Sequence, residues 1–83
     1  MERYRSESID SFVRTLLREL RIDAGLRQSD LAELLGCPQS FVSKYEIGDR
    51  ELSLSEARQI CLILGTSLPE FVQRLERTII EAK

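Results

Sequence analysis

Histidine and tryptophan are absent from this sequence, cysteine and proline occur only twice each, and no long apolar run is present. Each shortage removes a class of protein. Without histidine the commonest general base is missing, and two distant cysteines, Cys37 and Cys61, cannot assemble a four-ligand zinc site. The opening stretch MERYRSESID is charged and lacks the apolar centre of a signal peptide. The apolar run Ile60-Cys61-Leu62-Ile63-Leu64 falls far short of the ~20 residues that span a bilayer. The expectation is a reducing, cytoplasmic setting with no membrane, metal or cofactor. Cys61, inside that run, reads as a small apolar core filler. Cys37 lies at a helix start, where a redox role stays open beside the same structural one.

A basic excess is also lacking. Twelve Lys and Arg stand against fourteen Asp and Glu, for a net charge of −2. That balance counts against a non-specific nucleic-acid coat protein. It leaves sequence-specific contact open, because the local field at a contact face matters more than the sum.

What the chain does contain is helix. Ala, Leu, Glu, Arg and Gln are frequent and β-branched runs are rare, and 83 residues with 42% hydrophobic content suit one small globular domain over residues 1–83. Gly25, Gly36, Gly48 and Gly65 each follow an apolar-periodic segment, where a left-handed helix C-cap belongs. Pro38 and Pro69 fall just inside the start of the next segment. This punctuation predicts an all-α bundle of five helices.

The first helix is expected from about Ser8 to Ala24, with Ile9, Phe12/Val13, Leu16/Leu17 and Leu20 on one face, and residues 1–7 outside it. The second, about Gln28 to Leu35, turns Leu31, Ala32 and Leu35 inward, and the third, about Pro38 to Ile47, buries Val42 and Tyr45. The fourth opens with the capping box Ser53-Leu54-Ser55-Glu56 and buries Ala57, Ile60, Cys61 and Leu64. A second capping box, Ser67-Leu68-Pro69-Glu70, opens the fifth, whose stripe is Leu68, Phe71/Val72, Leu75 and Thr78/Ile79.

The link Leu35-Gly36-Cys37-Pro38 is too short for antiparallel packing of its two helices, so they must cross steeply as a helix-turn-helix. With Val42 and Tyr45 inward, Gln39, Ser40, Ser43 and Lys44 turn outward. Gln pairs with adenine N6/N7, Lys donates to guanine or phosphate, and Ser serves either, so this face suits the major groove. Gln28 stands where a helix N-terminus favours phosphate, with Arg27 beside it and Arg50 on the other flank. A solvated polar face is the plainer alternative. Three cations against four carboxylates over residues 27–50 look wrong for DNA unless Glu46 points to the core rim, towards a cation of the first helix.

The segment LRELRIDAGLRQSDLAELLGCPQSFVSKYEIGDRELSLSEARQICLILGTSLPEF resembles the Cro/C1-type (Xre-family) helix-turn-helix domain, a lambda-repressor-like fold, over roughly residues 16–75. The resemblance implies that Gln28, Gln39, Ser40, Ser43 and Lys44 contact DNA and that Arg21 pairs with Glu46. Three positions depart from the family pattern. Arg27 and Cys37 replace Ser or Thr at helix starts, weakening each cap by ~1 kcal/mol, and Asp49 replaces a residue that is often basic.

The resulting expectation is a double-stranded DNA-binding regulator, repressor-like, acting as a homodimer on two half-sites one helical turn apart. Its dimer surface is expected on the fifth helix, through Ile79 and Ile80, or near the third-to-fourth connection, with capping of the monomer core as another role for the isoleucines. A protein-interaction module of the same fold, antitoxin- or anti-repressor-like, is the alternative that the acidic balance favours. An enzyme is not expected, since the carboxylates are scattered and every glycine serves as a helix stop. So small a core suggests no small-molecule pocket.

Overall fold

A computed structural model describes residues 7–82, which form α1 (Glu7–Asp23), α2 (Gln28–Leu35), α3 (Gln39–Ile47), α4 (Leu54–Ile63) and α5 (Leu68–Glu81). No strand occurs among the described residues. The first helix already includes Glu7, one residue earlier than its apolar period predicts, and the expectation for residues 1–6 lies outside the described residues.

The first four helices end alike. At α2, Gly36 N–H donates to the Glu33 carbonyl at 3.1 Å and Cys37 N–H to the Ala32 carbonyl at 3.0 Å. At α3, Gly48 and Asp49 make the same pair of bonds to Tyr45 and Lys44. Both geometries require a left-handed residue, and Gly36 and Gly48 take φ of 72° and 89°. The chain therefore reverses at fixed points, and α3 is set against α2.

Helix starts are less uniform. Ser53 Oγ accepts from the Glu56 N–H at 3.1 Å while the Glu56 carboxylate takes the Ser53 N–H at 2.9 Å. Ser67 and Glu70 repeat this box at the start of α5. The third helix corrects the sequence expectation by one residue. Pro38 is its N-cap, with extended backbone at φ −66° and ψ 152°, and the helix proper begins at Gln39. Cys37 is thus the last residue of the preceding turn and not a failed cap. At α2, Arg27 has no acceptor to offer the first-turn N–H groups, but the Asp30 carboxylate takes the Arg27 N–H at 2.8 Å, so half of a capping box survives.

Leu16 and Leu17 of α1, Leu31 and Ala32 of α2, Val42 and Tyr45 of α3, Ile60, Cys61 and Leu64 around α4, and Phe71 of α5 form one buried cluster. Burying each large apolar side chain here contributes about 1.5–3 kcal/mol. Ala57 is only half-buried, and Val72 is exposed although the stripe of α5 predicts it inside. At the far end of α5, Ile79 is half-buried and Ile80 is 64% exposed.

One cavity is not suggested by the sequence. A groove of about 790 Å³ opens between α1, α5 and the α3–α4 connection, with Val13, Leu52, Leu54, Leu68, Val72 and Leu75 among its walls. Gly48 and Ala57 line it without bulk, beside the non-helical connection.

Candidate nucleic-acid interface

The third helix is short, and its buried residues Val42 and Tyr45 sit three apart. That anchors one face on the core and leaves Gln39, Ser40 and Lys44 exposed and Ser43 half-exposed on the other. No carboxylate shares this outer face. Ser43 Oγ donates back to the Ser40 carbonyl at 3.3 Å, a weak bond that a better acceptor can replace. Lys44 is exposed, and no carboxylate among the described residues pairs with it within 4 Å.

Behind the face lies an ionic anchor. Arg21 Nε donates to Glu46 Oε2 at 2.7 Å and Nη2 to Oε1 at 3.1 Å, while Nη1 reaches the Leu26 carbonyl at 2.7 Å. Their side chains are only 9% and 2% exposed, so the pair ties α1 to α3 in a site with little water. Glu46 therefore contributes no negative charge to the outer surface. Gln28, the first residue of α2, donates Nε2 to Glu46 Oε1 at 2.9 Å. Gln39 in turn approaches Gln28 Oε1 through Nε2 at 3.5 Å. The start of α2 and the start of α3 are thus brought side by side.

The flanking arginines are already engaged. Arg27 donates from Nε and Nη2 to Asp30, both at 3.1 Å, and this contact holds the Asp30 carboxyl below its ordinary range and raises the arginine further. The Arg27 side chain is 82% exposed, so it can leave. Arg50 is held more firmly. It forks onto both Glu56 oxygens at 3.0 Å, donates to the Glu51 carbonyl, and lies 4.6 Å above the Phe41 ring. Its hydrogen bond, followed by that of the Ser53 N–H, lowers the Glu56 carboxyl. Phe41 meets Tyr45 edge-on at 5.6 Å, so Arg50 fastens the α3–α4 connection to the core.

Two side chains here escape a reading of the sequence. Ile47 lies one helical turn beyond Ser43 and is exposed, beside the polar face and not under it. Tyr45 is buried, yet its hydroxyl has no hydrogen-bond partner among the described residues. Burial, with Glu46 adding to it, pushes that phenol well above its ordinary value. Cys37 is half-buried, and burial raises its thiol despite the nearby Arg50, which is the reverse of an activated cysteine. Among the described residues no group of three or more Cys, Asp or Glu side chains is placed to hold a metal ion, and no helix is long and apolar enough to cross a membrane.

An exposed polar helix set across a second helix by a glycine turn, with an acidic partner buried behind it, defines a helix-turn-helix unit of the DNA-binding kind. Comparison with known proteins agrees. A family model described as helix-turn-helix matches residues 17–71. A solved structure, an XRE-family like protein from Pseudomonas syringae pv. tomato str. DC3000, is 38% identical, with a TM-score of 0.82 over 87% of this chain and 88% of that one. No curated protein matches. The chain belongs to the Cro/C1-type (Xre) helix-turn-helix family, a family of DNA-binding regulators.

Proposed function

We propose that this protein is a cytoplasmic, sequence-specific transcriptional regulator of the repressor type, a single domain over residues 1–83 with no catalysis of its own. It acts as a homodimer that places α3 in the major groove of each of two half-sites. The observation that carries this reading is the outer face of α3, where Gln39, Ser40, Ser43 and Lys44 stand free of carboxylates on an acidic protein. Gln39 and Ser43 read bases, Lys44 reaches guanine or a neighbouring phosphate, Ser40 and Gln28 meet the backbone at the two helix starts, and Ile47 offers apolar contact to a thymine methyl. Arg27 reaches a phosphate by leaving Asp30. Arg50 would have to give up Glu56, the Glu51 carbonyl and Phe41 together, so we assign it to the α3–α4 connection first and to the DNA backbone second.

Of the two candidate dimer surfaces we favour the one beside the α3–α4 connection over Ile79 and Ile80 at the end of α5, which lie outside the groove. Leu54, 73% exposed at the start of α4, and Val72 of α5 line the same groove, next to the end of α3. A two-fold contact there buries both and keeps the two reading helices near each other, which supports half-sites about 34 Å apart.

Selection of bound duplexes from random DNA tests the reading. Two related half-sites are expected, with Gln39→Ala or Lys44→Ala losing ~1–3 kcal/mol of binding where a base contact is removed. Failure to retain any duplex would sink it. The second reading, a module that binds another protein, is favoured by the neutralised state of Arg27 and Arg50, and it predicts that outcome.

A further inference from the structure

A guanidinium offers N–H donors and no acceptor, so one that is drawn out of water needs acceptors placed around it. Among the described residues three arginines are less than fully exposed, Arg14, Arg21 and Arg74. Arg21 is spent on Glu46 and the Leu26 carbonyl, and Arg74 faces Glu19 at 3.7 Å. Arg14 differs. Its guanidinium takes no ion pair and gives no hydrogen bond among the described residues. It lies against the end of α3, where a Cβ at Gly48 would come within 3.1 Å of its guanidinium carbon. The carbonyls of that helix end are already taken, because Gly48 N–H and Asp49 N–H donate to Tyr45 and Lys44. The Arg14 donors are therefore not used in closing α3.

Arg14 belongs to the wall of the groove between α1, α5 and the α3–α4 connection. Its volume of about 790 Å³ lies within the ~300–1,000 Å³ of small-molecule sites, which are mainly apolar with a few polar groups. Leu68, Val72 and Leu75 follow one another at four and three residues along α5. They make an apolar strip about 10 Å long. The wall carboxylates Asp10 and Glu51 are exposed, so solvent screens them, and neither lies within 4 Å of Arg14. One cation with unspent donors beside an apolar strip complements a molecule with one anionic end and an apolar tail.

We propose that this groove binds a medium-chain monocarboxylate, with its carboxylate on Arg14 and its tail along the strip of α5. A guanidinium meets a carboxylate through two parallel N–H bonds, which a neutral hydroxyl does not reproduce. The site does not depend on the DNA reading, and its test needs no DNA. A second copy set over Leu54 and Val72 would compete for the same walls.

Octanoate and octan-1-ol, equal in chain length, are the probes, each titrated into the full-length protein and followed in proton–nitrogen spectra. Octanoate should give saturable shifts confined to the groove, at Val13, Leu52, Ala57, Leu68, Val72 and Leu75, and should leave Gln39 to Lys44 unmoved. It should bind about tenfold more tightly than octan-1-ol, the margin of a charge-assisted over a neutral hydrogen bond. Arg14→Gln should abolish that preference while octan-1-ol still binds as before. Shifts that never saturate or spread over every exposed apolar side chain would overturn the proposal, as would a preference that survives in Arg14→Gln. Groove signals that move with protein concentration and not with octanoate would assign the groove to a second copy and overturn it equally.

Discussion

Arg21 grips Glu46 side-on with two nitrogens and spends a third on the carbonyl of Leu26, so one arginine joins α1, the α1–α2 turn and α3. Both side chains are nearly dry. Removing one partner leaves the other charged and buried, so Arg21→Ala or Glu46→Ala should destabilise by about 3–5 kcal/mol. The double variant Arg21→Met/Glu46→Leu should recover most of that loss, since apolar replacement of a whole buried pair is often neutral. Urea unfolding of the three proteins measures it, and a double variant as weak as the sum of the single changes would contradict it.

The Tyr45 hydroxyl is buried with no partner among the described residues, and its ring is held by Phe41. Tyr45→Phe should keep the packing and gain up to about 1 kcal/mol, because an unsatisfied buried hydroxyl is disposed of. The pH dependence has a definite sign. The folded phenol ionises above its ordinary value of 10.0, so the folded state holds its proton more tightly than the unfolded chain. That contribution is complete below pH 10 and is lost as the pH climbs from there through the raised folded value. The stability advantage of Tyr45→Phe over the unaltered protein should therefore widen in unfolding experiments above pH 10.

Gly36 and Gly48 are both left-handed, but their surroundings differ. A Cβ at Gly36 meets nothing within 4 Å, whereas at Gly48 it would lie 3.1 Å from the guanidinium carbon of Arg14. Gly36→Ala should cost the backbone penalty alone, roughly 1–2 kcal/mol. Gly48→Ala should cost more, and trimming Arg14 to alanine should bring the two substitutions level in a thermal melt.

Salt dependence should separate the cations. Lys44 is free to neutralise a phosphate, and Lys44→Ala should reduce the slope of log affinity against log salt by about 0.9 per protomer. Arg50→Ala should leave that slope unchanged and lower the melting temperature, because its partners are Glu56 and Phe41. An equal drop in slope for Arg50→Ala would move it onto the DNA backbone.

Leu54 is the most exposed large apolar residue of the groove, and Ile80 stands apart at the end of α5. Leu54→Lys should shift sedimentation towards the monomer and weaken binding to paired half-sites. Ile80→Lys should do so less. The reverse order would place the dimer contact at the end of α5.

Much of this molecule was legible in its residues because helix formation is local. The two Ser-x-x-Glu boxes, the four glycines and the three- and four-residue spacing of apolar side chains act within one or two turns, and they set the five helix starts and the ends of the first three to within a residue, Pro38 included. The outer face of α3 follows from that same periodicity once Val42 and Tyr45 are inside. What sequence could not settle is which partner each polar group takes, since that depends on which elements meet. Arg27 and Arg50 read as free cations until folding sets Asp30 and Glu56 beside them. The unpaired hydroxyl of Tyr45, the exposure of Val72 and the groove beneath Leu54 arise from the same cause. The order Arg21, Glu46, Gln28, Gln39 joins three helices across distant parts of the chain, and only their packing brings those four side chains into one line.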